Sequence, residues 1–270
     1  MLNNIGIVVL SCDKYYDLWN PFFYFFEKYW ADCPYPIYLA TNSRIYLRNN
    51  IKQIHSNKFT TWSDETFTIL EKYPHDYLIY FQDDYLLTKK VDTSIIDSLF
   101  KKMILYNADY LRLFPLPGPD HSFKNETEIG IINKNAPYRT STQCAIWKKN
   151  TFLSLLQKCE TNWDFEINSP SRSNDYLFLS VVKHTKDHIS THTYPITYYH
   201  KTAVFKGKWM PEVIKMCREE GLQIDTNYRK VETNFERLYG TLYAASPKTL
   251  QHVYDFISNK YKTLLTKRIH

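Results

Sequence analysis

The chain has little of what usually marks an activity at first sight. Glycine is scarce, 6 in 270 residues, and no Gly/Ser-rich linker interrupts a sequence of 44% hydrophobic content. That balance implies one large α/β domain plus an appendage. No apolar run approaches the length of a bilayer span. The 5 cysteines, Cys12, Cys33, Cys144, Cys159 and Cys217, are odd in number, scattered and never in a Cys-x-x-Cys spacing, which fits a reducing cytosol. Met1 is followed almost at once by the strand-like Ile5–Leu10 with no basic and apolar leader, so secretion is not expected. A compact basic stripe with interleaved rings is missing as well, which argues against nucleic acid as a partner. The single sequon, Asn125-Glu126-Thr127, is short enough to arise by chance.

What is present is an excess of rings and a modest positive charge. Tyr and Phe number 23 and 16, most of which core packing must absorb. The net charge of +6 is spread along the chain and suits phosphorylated ligands or anionic lipid. Strands are predicted at 5–11, 36–40, 51–54, 77–81 and 109–114. Between them fall helices at 17–30, at 63–73 with Ser63 and Asp64 as cap and Phe67 and Leu70 inward, and at 92–107 on a stripe from Ile95 to Ile104. The alternation implies a Rossmann-like half, 1–114, with parallel pairing.

Regularity then stops. Residues 115–135 carry three prolines and read as an excursion near the ligand face, with a hairpin. A strand at 139–147, a helix at 149–159, a polar loop at 160–173, a helix at 174–184, a strand at 196–200 and a helix at 210–220 stopped by Gly221 fill a second half, 115–230. Residues 231–270 read as a helical segment whose apolar face and basic end, with Lys260, Lys262, Lys267 and Arg268, suit docking on its own domain or on an anionic membrane.

The densest chemistry lies in YLIYFQDDYLL at 77–87, a buried-type strand ending in two carboxylates, Asp83 and Asp84. Open α/β sheets bind ligands at the carboxyl ends of their strands. Side chains alternate along a strand, so one of the pair continues the buried pattern and the other faces the crevice. Two acids there are costly without a cation, which points to a divalent metal holding a diphosphate. The bland alternative is a turn cap, or a pairing of Asp84 with Lys89 or Lys90.

These residues resemble the glycosyltransferases of the GT-A fold, in particular small bacterial enzymes that build capsular or lipopolysaccharide glycans. The likeness is carried by VVLSCDKYYD at 8–17, the Asp-x-Asp-like YFQDDYLL, QCAIWKKNTFLSLL at 143–156 and WDFE at 163–166, and it covers residues 5–210. It implies an α/β fold with a mostly parallel, Rossmann-like central sheet flanked by helices, a catalytic domain at 1–230 and a helical appendage at 231–270. A nucleotide-sugar donor and a glycan or lipid-linked acceptor are the implied partners, in a cytoplasmic enzyme at the inner face of the membrane. The first position of the Asp-x-Asp triplet is Gln82, which leaves Asp84 as the direct ligand of Mn²⁺ or Mg²⁺ and puts Asp83 beside ribose or metal.

Under that resemblance Ser11, Cys12 and Asp13 lie where base and ribose bind. An inverting transfer needs a carboxylate base opposite the leaving group, for which Glu166, with Asp164 as runner-up, is the candidate. Trp163, Phe165 and Arg172 would face the acceptor, the two rings covering a sugar face. In HKTAVFKGKW, Lys206, Gly207 and Lys208 are candidates to hold the diphosphate, and His200 could reach the metal. Glu166 could instead cap or pair with Arg172, and the basic loop could be an exposed turn. Cys12 has no activating base pattern nearby. His184, His188 and His192 recur every four residues, but β-type neighbours argue against a helical zinc site. Rival readings are a glycoside hydrolase using Asp84 and Glu166, or a sugar-nucleotide or glycan binding module without turnover.

Overall fold

The computed structural model describes residues 4–57, 60–182, 194–199, 202–233 and 236. The chain forms two compact units, 1–203 and 204–270. The first is built on a nine-stranded sheet. Its strands are β1 (Ile5–Leu10), β2 (Ile37–Thr41), β3 (Ile51–His55), β4 (Tyr77–Gln82), β5 (Tyr110–Arg112), β6 (His121–Ser122), β7 (Ile129–Ile131), β8 (Ala145–Lys148) and β9 (Phe178–Val181), in the spatial order β3-β2-β1-β4-β8-β5-β9-β7-β6. The four strands from β3 to β4 run parallel, as expected. Beyond β4 the sheet is mixed: β8 runs antiparallel to both β4 and β5, β9 returns parallel to β5, and β7 and β6 are antiparallel. The expected mostly parallel sheet therefore holds for one half only.

Helices α1 (Trp19–Tyr29), α2 (Trp62–Lys72), α3 (Thr93–Leu105), α4 (Lys149–Leu155) and α5 (Asn162–Arg172) cover both faces. Strand alternation sorts the core. Val8, Leu10, Leu78, Tyr80 and Trp147 share one cluster with Ile69 and Leu70 of α2, Phe152 of α4 and Phe165 of α5. On the other face Phe22 and Phe26 of α1 meet Phe81 at 6.0 and 6.1 Å, and Phe100 of α3 meets Tyr77 at 5.1 Å. Gly6 marks where β1 is hemmed in: a Cβ there would lie 2.9 Å from both the Pro36 carbonyl and the Tyr73 hydroxyl.

Several expectations need correction. Residues 160–173 are not a loop but the helix α5, entered through a capping box in which Thr161 and Asp164 satisfy each other's backbone N–H groups. Of the expected helix at 174–184, the described residues 174–182 are not helical; they hold β9, because a short apolar run with β-branched residues has no helical stripe to bury. Thr61, not Ser63 or Asp64, is the N-cap of α2, and Phe67 points outward. Ile95 is likewise on the outer side of α3. At 196–200 the described residues give a single bridge, Tyr198 to Leu87. The hairpin expected within 115–135 is present as β6 and β7.

The second unit, as far as it is described, contains a two-stranded hairpin, β10 (Val204–Phe205) and β11 (Lys208–Trp209), and helix α6 (Pro211–Glu219), followed by Gly221 at φ 73°. The expected carboxyl-terminal helix and the three histidines His184, His188 and His192 lie outside the described residues.

Candidate active site

The chain leaves β1 for β2 and β3 on one side, then crosses to β4 on the other. The reversal makes the carboxyl ends of β1 and β4 a topological switch point, where open α/β sheets form a ligand crevice. Ser11 follows β1 and Asp83 follows β4, and the Ser11 hydroxyl donates a short hydrogen bond to the Asp83 carboxylate across that point. The indole N–H of Trp19 donates to the same hydroxyl at 2.7 Å, fixing its orientation. Asp83 is buried and Asp84 half-buried, the division that alternation requires. The Asp84 main-chain carbonyl accepts from the Ala203 N–H at 2.8 Å.

Tyr80, on the face covered by α2, α4 and α5, brings the second half of the fold to this point. Its hydroxyl accepts from Gln82 at 3.1 Å. Burial, then the carboxylates of Glu166, Asp84 and Asp83, raise its pKa, so three acids from β4 and α5 act on one phenol. Glu166 is buried on the inner side of α5, and its Oε1 accepts from the Thr142 N–H at 2.6 Å, the Thr142 hydroxyl at 2.7 Å and the Ser141 hydroxyl at 3.3 Å. All three bonds fall on Oε1. Tyr85 closes the floor, its ring stacked on Tyr198 at 4.4 Å and its hydroxyl donating to the Thr142 carbonyl at 2.9 Å.

Beside β1, Asp13 accepts from the main-chain N–H groups of Asn42, Ser43 and Arg44 at 3.0–3.2 Å and from the Ser43 hydroxyl at 2.8 Å. Desolvation alone would raise its pKa, but these donors together hold it below 3.8. Its carboxylate is thus engaged in joining the ends of β1 and β2. The Cys12 thiol is pushed up to about 11 by burial and then by Asp83, which keeps it protonated and inert.

On α5 the expected acceptor residues and the second candidate base have other tasks. Phe165 has no exposure and packs on Trp62 and Phe152, so it cannot meet an acceptor. Asp164 is held by Thr161 as a helix cap, which lowers its pKa and removes it as a base. Arg172 pairs with Glu160 at 2.7 Å and donates to the Leu155 carbonyl, not to Glu166. Trp163 stands exposed on the outer side of α5. In the second unit Lys206 and Gly207, both at positive φ (48° and 76°), are the two turn residues of the β10–β11 hairpin, which accounts for the glycine by turn geometry. Lys208 pairs with Glu236, whose carboxyl is lowered to about 2 by that ammonium and by Thr233. His200 lies outside the described residues.

Among the described residues no group of three or more His, Cys, Asp and Glu side chains is placed to hold a metal ion. Asp83 and Asp84 offer hard carboxylate oxygens, a set that fits Mg²⁺ or Mn²⁺ where phosphate oxygens and water complete the shell. Tyr80, Tyr85, Thr142 and Trp19 were missed in the sequence. Tyr80 carried a signal, since it is an in-strand polar ring two residues before Gln82.

No family model and no curated protein matches the chain. Among solved structures, S. aureus TarS 1-349 is similar at 9% identity and a TM-score of 0.44, over 67% of this chain and 58% of that one. The same protein in complex with UDP-GlcNAc aligns at 10% identity and 0.42, over 70% and 61%. A cytidylyltransferase from Leptospira borgpetersenii aligns at 11% identity and 0.43, over 85% and 98%. This chain therefore spans less than two thirds of the TarS chains. At such identities and TM-scores the likenesses carry no weight for activity.

Proposed function

We propose that this chain is a GT-A-type glycosyltransferase that moves a sugar from a nucleotide-diphosphate donor to a glycan or lipid-linked acceptor, with inversion, in cytoplasmic synthesis of surface polysaccharide. One observation carries the reading: the Ser11–Asp83 hydrogen bond across the β1/β4 switch point, with Asp84 beside it and Glu166 bonded to Thr142, whose carbonyl accepts from Tyr85 just after Asp84. Topology supplies the ligand position, and the end of β4 and helix α5 supply the carboxylates that this reading uses.

Ser11 and Asp83 orient the donor's ribose. Asp84, with Asp83, would hold Mg²⁺ or Mn²⁺, which when bound offsets charge on the departing diphosphate. The acceptor hydroxyl oxygen bonds to the anomeric carbon as the bond from that carbon to the diphosphate oxygen breaks, its electron pair leaving with the phosphate. The hydroxyl proton passes to Oε2 of Glu166, the oxygen not engaged by Thr142 and Ser141.

A melting series with uridine, guanosine, cytidine and thymidine diphosphates, each with and without Mn²⁺, tests donor binding. One of them should stabilise the protein by about 2.7 kcal/mol at a hundredfold excess over its Kd. Donor turnover then separates the possibilities. No shift with any nucleotide sinks the proposal, and binding with no diphosphate release from any acceptor assigns a non-catalytic module.

A further inference from the structure

Thr142 turns its three polar groups to two partners. Its N–H and its hydroxyl both donate to Glu166, and its carbonyl accepts from the Tyr85 hydroxyl at 2.9 Å. Tyr85 is also the residue that follows Asp84, so one buried side chain links the end of β4 to the carboxylate on α5 through a single intermediate.

What holds Tyr85 is equally specific. Its N–H donates to the Gln82 carbonyl at 3.1 Å, and the chain on either side of it is laced to a later segment. The Ala203 N–H donates to the Asp84 carbonyl at 2.8 Å, the Tyr199 N–H donates to the Leu86 carbonyl at 3.0 Å, and Leu87 forms a bridge with Tyr198. This lacing brings the Tyr85 and Tyr198 rings together at 4.4 Å with 9° between their planes, and Phe114 packs on Tyr198 at 4.5 Å. The Tyr198 hydroxyl donates to the side-chain oxygen of Gln143, so the stacked phenols grip two successive residues, Thr142 and Gln143. Both rings are buried, and burial before any neighbouring group pushes both hydroxyls well above the ordinary phenol range, which keeps each a donor at neutral pH. Phenylalanine would fill the same space and keep the stack, so packing alone does not account for the Tyr85 hydroxyl.

Displacement at a sugar carbon tolerates little error between base and leaving group: a misplacement of about 1 Å can cost about a hundredfold in rate. Asp84 follows β4 and Glu166 lies on α5, two elements far apart in the chain. We infer that Tyr85 is a positioning residue for proton transfer: its hydroxyl fixes Thr142, and Thr142 fixes Glu166 against the frame that carries Asp84. This role rests on the transferase reading above and deepens it, since Glu166 must be the base for Tyr85 to position it.

Tyr85→Phe removes one hydroxyl and keeps the ring; a retained melting transition shows that the variant is folded. Turnover is read as nucleoside diphosphate released from the uridine, guanosine, cytidine and thymidine diphosphate glucoses, each with Mn²⁺ and with water as acceptor. Tyr85→Phe should lower kcat about tenfold or more at an unchanged donor KM. In a Glu166→Gln background the same change should cost less than about twofold, because a residue that acts through the base has nothing left to position. Tyr73→Phe is the control. Tyr73 is also buried, and its hydroxyl donates to the Tyr77 carbonyl at 2.8 Å at the opposite end of β4, so its removal should leave kcat unchanged. An unchanged kcat in Tyr85→Phe, an equal fall in both backgrounds, or an equal fall in Tyr73→Phe overturns the inference while leaving the role of Glu166 in place. A Glu166→Gln protein as active as its parent, or a parent that releases no diphosphate, overturns both.

Discussion

The two halves of the large sheet satisfy their backbones differently. From β3 to β4 a parallel ladder does so, and the strand ends fall in line, which sets Ser11, Asp13, Asp83 and Asp84 side by side. From β8 to β6 the strands are short and mixed in direction, and two buried arginines serve the chain that the ladder leaves out. Arg112 donates to the Pro117, Tyr138 and Arg139 carbonyls and to the Tyr110 hydroxyl. Arg139 donates to the carbonyls of Ile132, Ser173 and Tyr176 and to the Ser173 hydroxyl, and burial lowers its pKa to about 10. The parallel ladder sets the strand ends of the first half, with Asp13 tying β1 to β2; the second half relies on buried arginines for the chain around Thr142 and Glu166.

If donor binding belongs to the first half and proton transfer to the second, the sharpest separation comes from Glu166→Gln. It should lower kcat by about 10²–10⁴ while leaving the nucleotide-induced melting shift intact, since an amide oxygen can still accept from Thr142. Equal turnover by this variant would break the division. Arg112→Met comes next: orphaning several buried carbonyls should cost about 3–5 kcal/mol in denaturant unfolding. A loss under 1 kcal/mol, roughly the size of an ordinary surface change, would mean that the second half does not depend on its arginine.

Ser11→Ala probes the first half, with about 1 kcal/mol less stability and weaker nucleotide binding at an unchanged kcat. Loss of kcat with binding intact would reverse the assignment of roles. The smallest effect concerns acid. Asp13 titrates below 3.8 when folded, so its contribution is complete above the unfolded value and fades as pH falls through the folded one. Asp13→Asn should therefore flatten the stability profile below about pH 5; a profile parallel to that of the parent contradicts this.

Much of the first half was legible because β1, β4 and α3 have unmixed periods. α5 was hidden by its polarity and by Pro170 within it, yet Thr161-Asn-Trp-Asp164 held a capping-box spacing that could have disclosed it. β9 was read as helix because a buried apolar run does not reveal its period. Asp84 stands at the end of β4 and Glu166 is buried on α5, whereas Phe165 is packed in the core and Asp164 caps its own helix. Facing inward or outward on an undetected helix is not a property of a residue alone. Tyr85 and Thr142 join the site only through contacts 57 residues apart, which no local pattern encodes.

Three consecutive amides converging on one carboxylate make a concave anion receptor, and here the receptor is filled by the chain's own Asp13. Phosphate can compete for that cradle only once the internal occupant is removed, so an Asp13→Gly protein should acquire a sulfate or phosphate site that its parent lacks.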